Sequence, residues 1–442
     1  MADEQANYPK RIGIIGAGIS GLSAAWELSD SGVEVEVFEK EQMPGGLAGW
    51  FDVGDTTLEK FYHHIYNKDQ PLIQLIEEVG LKDQLVFKST ETGCFYVNRI
   101  YRLSSPVDLL RYKPLSFPDR IRLGLLAVRA RFIKDWRTLD NISAKEWIIK
   151  HSSESVYRVL WEPLFRSKFG RYASEISAAW LWSKFVQRGG SRGKTGAEEL
   201  GYFKGGYGKL FKELQHQLER RNVKIHLNLP VNEIIMKDDQ AIGLLSPQGT
   251  HRFDAVLAAT QLPDFLSVTP ALPVSFKQEL ETISFLGNTC LVLKLKHRLS
   301  DTYWVNITDV TCPFVGVIEQ TNLLDESHYS GYHMAYISRY MDVGDPLYSK
   351  DIEALFETYL PYLQKIFPEF SREWIIDMYL WREPHAQAVV SVGYSQKIPP
   401  ARTPVKNLYL TTMAQVFPED RQMSNGVKLA RAAARQMLQD IR

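Results

Sequence analysis

Residues 11–21 read Arg11-Ile12-Gly13-Ile14-Ile15-Gly16-Ala17-Gly18-Ile19-Ser20-Gly21 and decide the fold of the chain. A β-branched run passes through a glycine turn into residues 22–28, which are mostly good helix formers. Ser31 and Gly32 then end the predicted helix, and residues 33–38 alternate with the period of two that is typical of a strand. The sequence therefore predicts a strand, a glycine turn, a helix and a second strand.

The glycines of this unit have the Gly16-x-Gly18-x-x-Gly21 spacing of dinucleotide-binding sites. They lie between a predicted strand and a predicted helix, and in that position the motif is a specific signal for dinucleotide binding. Gly16 permits the tight turn, Gly18 lets the backbone approach a pyrophosphate, and Gly21 lets the helix pack on the strand. The N–H groups that open the helix, at Ile19 and Ser20, are then predicted to face the phosphates. The alternative is a glycine turn that only packs a helix on a strand.

The acidic residue after the second strand indicates which nucleotide fits. Glu39 lies where a carboxylate accepts both hydroxyls of an adenosine ribose and repels a 2′-phosphate. Together with its neighbour Lys40, it completes a predicted site for the ADP part of FAD or NAD rather than NADP.

The composition excludes several classes of protein. The 442 residues suffice for two domains, and 52 Lys and Arg against 52 Asp and Glu leave no net charge for general nucleic-acid binding. The cysteines Cys94, Cys290 and Cys312 fit neither a disulfide framework nor a zinc site, which indicates a reducing, cytoplasmic compartment. The polar start and the absence of a long apolar run predict neither a signal peptide nor a transmembrane span.

A glycine pair shortly after Glu39 carries a resemblance to a known family. The segment is Met43-Pro44-Gly45-Gly46-Leu47-Ala48-Gly49-Trp50, and its paired glycines let the backbone lie against a second flat or charged part of a ligand. Residues 11–50 resemble the start of the superfamily of flavin-dependent amine oxidases, phytoene desaturases and protoporphyrinogen oxidases. The resemblance implies FAD, held in part by Gly45, Gly46, Leu47 and Ala48, although Met43 stands where many members have an arginine.

Two later segments extend the resemblance. In the family a valine that begins a strand covers the adenine with its backbone, and Val231 holds that place. The last strand of the family is followed by a loop and a helix whose N-terminus points at the flavin pyrimidine, which implies cofactor contacts by Asn425, Gly426 and Val427. Met413 stands where many relatives have the aspartate that binds the ribityl chain, so Asp420 is the candidate carboxylate. No cysteine lies near this segment, which indicates non-covalent FAD.

The resemblance and the pattern of elements together predict an α/β protein of two domains. A discontinuous, Rossmann-like FAD-binding domain of the glutathione reductase type comprises residues 1–90, 200–270 and 396–442. An α+β substrate domain, with a mixed sheet and a helical subdomain, comprises residues 91–199 and 271–395, of which 91–190 are mostly helical. A glycine-rich stretch, residues 188–208, is predicted to be a mobile loop.

Aromatic and ionisable residues cluster between residues 61 and 66. In the family this region passes near the flavin ring, so the resemblance implies that His63 or His64 contacts substrate as a catalytic candidate. At most one of them does so, because neighbours on an extended backbone face opposite ways, and a purely structural pair is the alternative. Tyr62 and Tyr66 are predicted to form one wall of a largely apolar pocket, with Trp381 and Tyr394 near the other.

Residues 119–134 combine apolar and basic side chains along a predicted helix. The favoured interpretation is an inner apolar face with solvated arginines around it. The alternative is a basic amphipathic helix that makes a peripheral membrane contact.

The predicted function is an FAD-dependent oxidoreductase that removes hydride from a C–N or C–C bond of an amine or an apolar, isoprenoid-like substrate. No second nucleotide motif is evident, so oxygen, a quinone or a redox partner is expected as the electron acceptor. One alternative is an enzyme similar to UDP-galactopyranose mutase, which acts on a nucleotide sugar without net redox change. Its diphosphate clamp would come from Arg166, Arg171, Arg339 or Arg382. The other alternative is a non-catalytic flavin-binding protein.

Overall fold

The computed structural model describes residues 9–190 and 199–441. Its strands, in chain order, are β1 (Arg11–Ile15), β2 (Glu34–Phe38), β3 (Trp50–Val53), β4 (Thr56–Glu59), β5 (Ile65–Tyr66), β6 (Leu85–Ser89), β7 (Thr92–Tyr96), β8 (Arg99–Arg102), β9 (Glu199–Phe203), β10 (Lys224–His226), β11 (Glu233–Lys237), β12 (Gln240–Ser246), β13 (Gly249–Arg252), β14 (Ala255–Ala258), β15 (Phe285–Leu295), β16 (Trp304–Ile307), β17 (Gly316–Glu319), β18 (His333–Met341), β19 (Ile375–Ala388) and β20 (Leu408–Leu410). Its α-helices are α1 (Ile19–Ser29), α2 (Gln70–Glu78), α3 (Pro106–Arg111), α4 (Phe117–Phe132), α5 (Arg137–Asp140), α6 (Ala144–His151), α7 (Glu154–Val156), α8 (Glu162–Phe169), α9 (Ala178–Gly190), α10 (Tyr207–Arg220), α11 (Leu262–Ser267), α12 (Val274–Glu281), α13 (Ile352–Ile366) and α14 (Met423–Ile441).

A parallel sheet carries the predicted strand, turn, helix and strand. Its five strands lie in the order β10, β2, β1, β14 and β20, and every neighbouring pair is parallel. Helix α1 is buried on nearly every side because it packs between β2 and the long helix α14. The strands come from the three chain segments that were grouped as the FAD-binding domain, and the division into two domains stays a prediction.

A second, mixed sheet of seven strands has the order β19, β15, β18, β17, β16, β7 and β8. Only the pair of β16 and β7 is parallel. The buried side chains of helix α13 belong to one core with this sheet. Strand β19 was not predicted, because most of its side chains are partly or fully exposed and it contains a proline.

Helices α3 to α9 form the helical part that was predicted within residues 91–190. Serine side chains cap four of these helices by accepting a hydrogen bond from a backbone N–H of the first turn, namely Ser105, Ser116, Ser143 and Ser153. Helix α8 packs against β18 and β16. Side chains of the helical part therefore reach the seven-stranded sheet.

Helix α4 agrees only in part with the favoured interpretation of residues 119–134. Its inner face is formed by Asp119, Leu123, Leu126 and Ala130, all of them buried. The larger apolar side chains of the helix point outward, with exposures of 62% for Phe117, 40% for Ile121, 60% for Leu125, 49% for Val128 and 78% for Phe132. The inner apolar face and the exposed arginines of the favoured interpretation are therefore present, but the helix also has a second apolar face on its outer side.

Two further boundaries differ from the sequence prediction. Strand β11 begins at Glu233, so Val231 precedes the strand instead of opening it. Of the glycine-rich stretch 188–208, residues 199–203 form β9 and residues 207–208 open α10, while 191–198 lie outside the described residues. Within the described ranges, no helix combines the length and the apolar character needed to cross a bilayer.

Candidate active site

Two glycine segments meet at the N-terminus of α1. Gly18 and Gly45 form a parallel β-bridge, and the Gly45 N–H donates to the Ala17 carbonyl oxygen at 3.0 Å. Gly18 is the N-cap of α1 and offers no side-chain acceptor, so the first N–H groups of the helix suit an external partner. A helix N-terminus favours an anionic partner, as the diphosphate of a dinucleotide is.

The three motif glycines fit the roles predicted for them. Gly16 has a φ of +97°, and a Cβ there would lie 2.7 Å from the Ala259 carbonyl oxygen. A Cβ on Gly21 would lie 1.8 Å from the Gly16 carbonyl oxygen, which explains why helix and turn pack directly on each other. A Cβ on Gly18, in contrast, would meet no atom closer than 3.9 Å. The space at Gly18 is therefore open, on the side where a ligand would lie.

The N-terminus of α14 forms the other side of this space. A Cβ on Gly426 would lie 2.8 Å from Ser20 Oγ and 3.1 Å from Met413 Cε, so the two helix N-termini approach closely. Asn425 Nδ2 donates to the Asp420 carbonyl oxygen at 3.0 Å, which fixes the loop before the helix. The side chain of Val427 is buried in the core, which leaves its backbone for any cofactor contact. We call residues 16–21, 45–48 and 424–427 together the glycine cradle.

Glu39 lies at the end of β2 beside the cradle, with an exposure of 7%. Its Oε2 accepts the Ala17 N–H at 2.7 Å and its Oε1 accepts the Glu41 N–H at 2.9 Å. Burial raises the pKa of Glu39 despite these two N–H groups, which act in the opposite direction. Each oxygen keeps a further lone pair, so the carboxylate fits two ribose hydroxyls.

Two other predicted cofactor residues lie at the edge of the cradle. The side chain of Lys40 is 60% exposed, and its Nζ lies 3.3 Å from Asp264 Oδ2, so this lysine is directed to a protein carboxylate. Val231 lies in the loop after β10, which is joined to the end of β2 by a 2.8 Å hydrogen bond from the Leu229 N–H to the Glu39 carbonyl oxygen. That link is compatible with the predicted adenine contact of Val231. The cradle, Glu39 and this loop together fit a dinucleotide.

The neighbouring histidines face different sides, as their extended backbone predicts. His63 Nδ1 lies 2.7 Å from the Phe61 carbonyl oxygen, so Nδ1 carries the proton that it donates. Burial, together with nearby Arg421, lowers the pKa of His63 to about 4 despite the hydrogen bond to the Phe61 carbonyl, which acts in the opposite direction. His63 is therefore neutral at pH 7, with Nε2 as its acceptor. His64 lies among aromatic rings, with its centroid 5.0 Å from that of Tyr66 and 5.9 Å from that of Trp304.

Tyr62 and Trp381 lie on the same side of β15 and not on opposite walls. Trp381 pairs with Cys290 across the ladder, and the Cys290 thiol is hydrogen-bonded to the backbone of Tyr62. Trp381 also packs on Phe51 at a centroid distance of 5.3 Å, with Lys60 Nζ 4.9 Å from its ring centroid. Tyr62, Trp381 and Phe51 form one aromatic surface next to residues 60–64, whereas the ring of Tyr66 packs on His64.

Tyr394 does not belong to a substrate wall. Its side chain is 1% exposed, and its hydroxyl donates to the Ala414 carbonyl oxygen at 2.8 Å. The prediction that it lines the pocket is wrong, because ring and hydroxyl are both engaged in the core beneath the loop that leads to α14.

Asp420 is held by two lysines of the helical part. Lys168 Nζ of α8 lies 3.1 Å from Asp420 Oδ2, and Lys184 Nζ of α9 binds the same oxygen. Burial disfavours the carboxylate, but the two lysines outweigh it and hold the pKa of Asp420 far below its usual range. The role of Asp420 as a ribityl ligand is thus not supported, since its carboxylate is already paired with two ammonium groups.

Arg421 continues this group of charges. Its Nη2 donates to the Tyr340 hydroxyl at 2.8 Å and its Nε donates to Gln387 Oε1 at 3.2 Å. Burial acts to raise the pKa of Tyr340, but Arg421 and Lys168 outweigh it, so the pKa of Tyr340 is lowered. The pKa of the neighbouring Tyr62 is raised by burial. We call Asp420, Lys168, Lys184 and Arg421 the Asp420 cluster.

Sequence reasoning missed the three cations of the Asp420 cluster. The one available signal was that Lys168 and Lys184 interrupt apolar and aromatic runs, at residues 164–169 and 180–185. The arginines proposed for a diphosphate clamp lie elsewhere: Arg166 pairs with Glu162, Arg171 with Asp342, Arg339 with Asp345, and Arg382 donates to the carbonyl oxygens of Tyr348 and Lys350. No group of three or more His, Cys, Asp or Glu residues in the described chain is arranged to hold a metal ion.

The parallel sheet, the glycine cradle and Glu39 form an arrangement that is typical of dinucleotide-binding proteins. A family model described as flavin containing amine oxidoreductase matches residues 19–438. The chain belongs to this family.

The chain is similar to proteins of several different kinds. The zeta-carotene desaturase of Synechocystis sp. is 28% identical over 292 residues, which cover 59% of this chain and 59% of that protein, so the match spans about three fifths of that relative. The solved structure of an oxidoreductase from Methanosarcina mazei has a TM-score of 0.75 at 20% identity and covers 96% of this chain and 100% of its own. That of reduced UDP-galactopyranose mutase has a TM-score of 0.77 at 16% identity and covers 97% and 96%. At these identities the solved structures establish the fold alone.

Proposed function

We propose that the protein is an FAD-dependent oxidoreductase that removes hydride from a C–N or C–C bond of a small molecule. The observation that carries the proposal is the glycine cradle, where the N-termini of α1 and α14 meet beside paired glycines and leave open space at Gly18. Membership of a flavin-containing family supports a flavin as the occupant. When bound, FAD supplies the acceptor for the hydride.

Different residues of the cradle and its surroundings bind different parts of FAD. The first N–H groups of α1 and the backbone of Gly45 and Gly46 bind the diphosphate, while Glu39 accepts the ribose hydroxyls. The N-terminus of α14 faces the flavin pyrimidine and favours negative charge there. We propose non-covalent binding, since each of the three cysteines is buried in a core cluster.

The substrate side lies between the aromatic surface and the Asp420 cluster. Tyr62 and Trp381 exclude water from one side, and His63 offers an uncharged Nε2 acceptor on the side of Arg421. Hydride removal requires no strong base, so a neutral histidine is adequate for orienting a substrate hydroxyl or amine. The electrons then pass to oxygen, a quinone or a redox partner.

Purification of the protein tests this proposal directly. We expect a yellow protein whose FAD is released intact by acid, and whose oxidised flavin spectrum bleaches with a substrate and returns with an acceptor. A Gly18→Val variant should lose FAD, because its side chain would occupy the open space at the helix N-terminus. A matched control is Gly344→Val, an exposed glycine outside the cradle, where a side chain meets no atom within 4 Å. A colourless parental protein that binds no FAD on reconstitution contradicts the proposal.

A reaction without net redox change is the second candidate. It is favoured by one observation, the excess of positive charge in the Asp420 cluster, which suits a diphosphate sugar. Steady-state turnover with an electron acceptor supports the oxidoreductase, whereas turnover that needs only a catalytic amount of reductant supports the second candidate. Neither activity over a broad panel supports a non-catalytic flavin-binding protein.

A further inference from the structure

The Asp420 cluster has more basic side chains than acidic ones. Lys168 and Lys184 both bind the carboxylate of Asp420, and Arg421 binds two neutral partners, the hydroxyl of Tyr340 and the amide oxygen of Gln387. In the part of the chain that the structure describes, Lys168 and Arg421 therefore have only the Asp420 carboxylate to balance their two charges. Concentrating like charges in this way is unfavourable unless a further anion joins them.

The cations are restrained by aromatic rings and are still accessible. Lys168 Nζ lies 4.9 Å from the ring centroid of Trp180 and 5.8 Å from that of Tyr340, and Lys184 Nζ lies 5.1 Å from Trp180. The side chains of Lys168 and Lys184 are 20% and 23% exposed. Each lysine is thus held in place by packing and keeps part of its surface open to a ligand.

The position of the cluster connects it with the proposed active site. Arg421 precedes the first residue of α14 by two positions, and it is close enough to His63 to lower the pKa of that histidine. It also donates to the hydroxyl of Tyr340, which neighbours Tyr62 of the aromatic surface. A substrate on the aromatic surface would therefore have its polar end at the cluster.

We propose that Lys168, Lys184 and Arg421 form a subsite for an anionic group of the substrate, a carboxylate or a phosphate, whose apolar part lies on the aromatic surface. This inference rests on the proposed function and specifies its substrate class. It excludes simple amines and uncharged isoprenoids as the preferred substrates, because the former are repelled by the cluster and the latter leave its charges unpaired.

The test is calorimetric titration of the FAD-loaded protein with benzoate, phenyl phosphate and benzylamine. These probes share a ring and differ in the charge and geometry of the polar group. We expect the anions to bind at least about tenfold more tightly than benzylamine. Whichever of benzoate and phenyl phosphate binds more tightly shows whether the subsite prefers a carboxylate or a phosphate. Lys168→Met and Lys184→Met should each weaken the anion by about tenfold, while Lys168→Arg stays within about threefold.

Two further variants separate charge from folding. Asp420→Asn removes the competing carboxylate and should tighten anion binding, which simple damage to the fold would not do. Lys365→Met breaks another Lys–Asp pair, with Asp309 at 2.8 Å on the outer side of α13, and should leave the affinity unchanged. Equal or tighter binding of benzylamine overturns the inference, and so does the absence of anion binding at about 10 mM.

Two other results overturn the inference in ways that can be told apart. If the lysine variants keep the anion affinity and only shift the reduction potential of FAD, the cluster serves the flavin instead of the substrate. If the protein holds no FAD at all, the proposed function fails, and the same titrations on that protein still decide whether the cluster binds anions.

An independent observation on α4 carries a second inference. Helix geometry puts Phe117, Ile121, Leu125, Val128 and Phe132 on one outward face, opposite the buried face of the helix. The neighbouring α3 adds two exposed apolar side chains, Val107 at 52% and Leu110 at 44%. Helices α3 and α4 pack together, and we call these seven exposed apolar residues of the two helices the α3–α4 patch.

Basic residues border the α3–α4 patch on both sides. Arg122 and Arg129 follow one flank of α4, and Arg120 and Arg131 follow the other. Between residues 105 and 134 the chain has seven Lys and Arg against two Asp. In the described parts of the chain, Arg129 and Arg131 form no ion pair, so both are available to an external anion.

We propose that the α3–α4 patch docks on the surface of an anionic lipid bilayer, with its apolar side chains at the acyl boundary and Arg129 and Arg131 at lipid phosphates. The charge pattern favours this occupant over a second copy of the chain, because two such patches would repel each other. Trp182 of α9 donates to the Ala130 carbonyl oxygen of α4 at 2.7 Å, so the docked helix lies against the one that carries Lys184.

Sedimentation of the FAD-loaded protein with vesicles tests the docking. We expect binding to vesicles of 30% phosphatidylglycerol in phosphatidylcholine and weak binding to phosphatidylcholine alone. Leu125→Ser with Phe132→Ser should weaken binding by at least about tenfold, and Arg129→Gln by about fivefold, the equivalent of roughly 1 kcal/mol per charge. Val274→Ser, at a 71% exposed apolar residue of α12, is the matched control.

Docking is contradicted if the parental protein does not sediment with the anionic vesicles, or if the control variant weakens binding as much as the α4 variants. A parental dimer that Leu125→Ser with Phe132→Ser converts to a monomer, without vesicle binding, assigns the patch to a second copy instead.

Discussion

Glu39 is the single side chain on which retention of FAD is expected to depend most. Each of its oxygens accepts one backbone N–H and has a lone pair left for a ribose hydroxyl. A hydrogen bond to a charged group contributes roughly 1.5–3 kcal/mol, so Glu39→Ala should weaken FAD binding by at least about tenfold. Fluorescence titration of FAD-free protein measures the affinity, with the exposed neighbour Glu41→Ala as the control. An affinity within about twofold of the parent would mean that the ribose lies elsewhere.

The two adjacent histidines are expected to respond differently to removal. His64→Ala opens a cavity among aromatic rings and should chiefly lower the thermal midpoint. His63→Ala removes the group that faces Arg421 and should slow flavin reduction by substrate while the FAD content stays intact. Stopped-flow absorbance and thermal unfolding of both variants make the comparison. Parental reduction rates in both would assign the pair a structural role.

At the level of elements, the contact between α1 and α14 controls the shape of the cradle. Gly426→Ala should push the two helix N-termini apart, because its Cβ would lie 2.8 Å from Ser20 Oγ and 3.1 Å from Met413 Cε. FAD affinity should fall by at least about tenfold. Gly124→Ala is the matched change in another helix, where the new Cβ meets only Leu109 Cδ2 at 3.8 Å.

The two alanine variants should therefore have opposite effects. Gly124→Ala should stabilise the protein by about 0.5–1 kcal/mol, since alanine loses less backbone entropy in a helix, and should keep FAD affinity. Spectroscopic FAD content and urea unfolding give both quantities. If Gly426→Ala binds FAD like the parent, the two helix N-termini can move apart to make room for the added methyl group without disturbing the cradle.

Elements were predictable where the determining interactions are local. The β1, turn, α1 and β2 unit follows from residues 11–38 because a strand, a glycine turn and a helix are set by neighbouring residues. The Asp420 cluster was not predictable, since Lys168 and Asp420 are 252 positions apart and meet only through packing of the helical part. The outer apolar face of α4 was missed for another reason: with apolar side chains on two opposite sides, periodicity does not reveal which side is buried.

For the whole molecule, buried carboxyl groups should make stability depend on pH. Glu59 has no exposed surface, receives hydrogen bonds from the Tyr202 hydroxyl and the Tyr207 N–H, and joins β4 to α10. Burial raises its pKa to about 7 despite those donors. Burial raises the pKa of Glu319, at the end of β17, to about 7 as well. Both groups thus favour the protonated form in the folded protein.

The sign of the effect follows from proton linkage. An acid whose folded pKa lies above its unfolded value binds more protons when folded, so its stabilisation is complete below about pH 4.5 and is lost as the pH rises through about 7. Between pH 5 and pH 8, Glu59 alone should lower the free energy of unfolding by roughly 2–3 kcal/mol. Glu59→Gln cannot ionise and should therefore show a correspondingly smaller loss of stability over this range.

Urea unfolding of parent and Glu59→Gln at pH 5, 6, 7 and 8 measures this dependence. The variant is expected to be less stable than the parent at pH 5, where an amide group replaces one acceptor oxygen opposite the Tyr207 N–H, and to approach or exceed it at pH 8. Glu279→Gln, at an exposed carboxylate of α12, is the control for the substitution itself. Parallel pH profiles for parent and Glu59→Gln would show that Glu59 is already ionised in the folded protein at pH 5, with its charge balanced by the two donors that hold it.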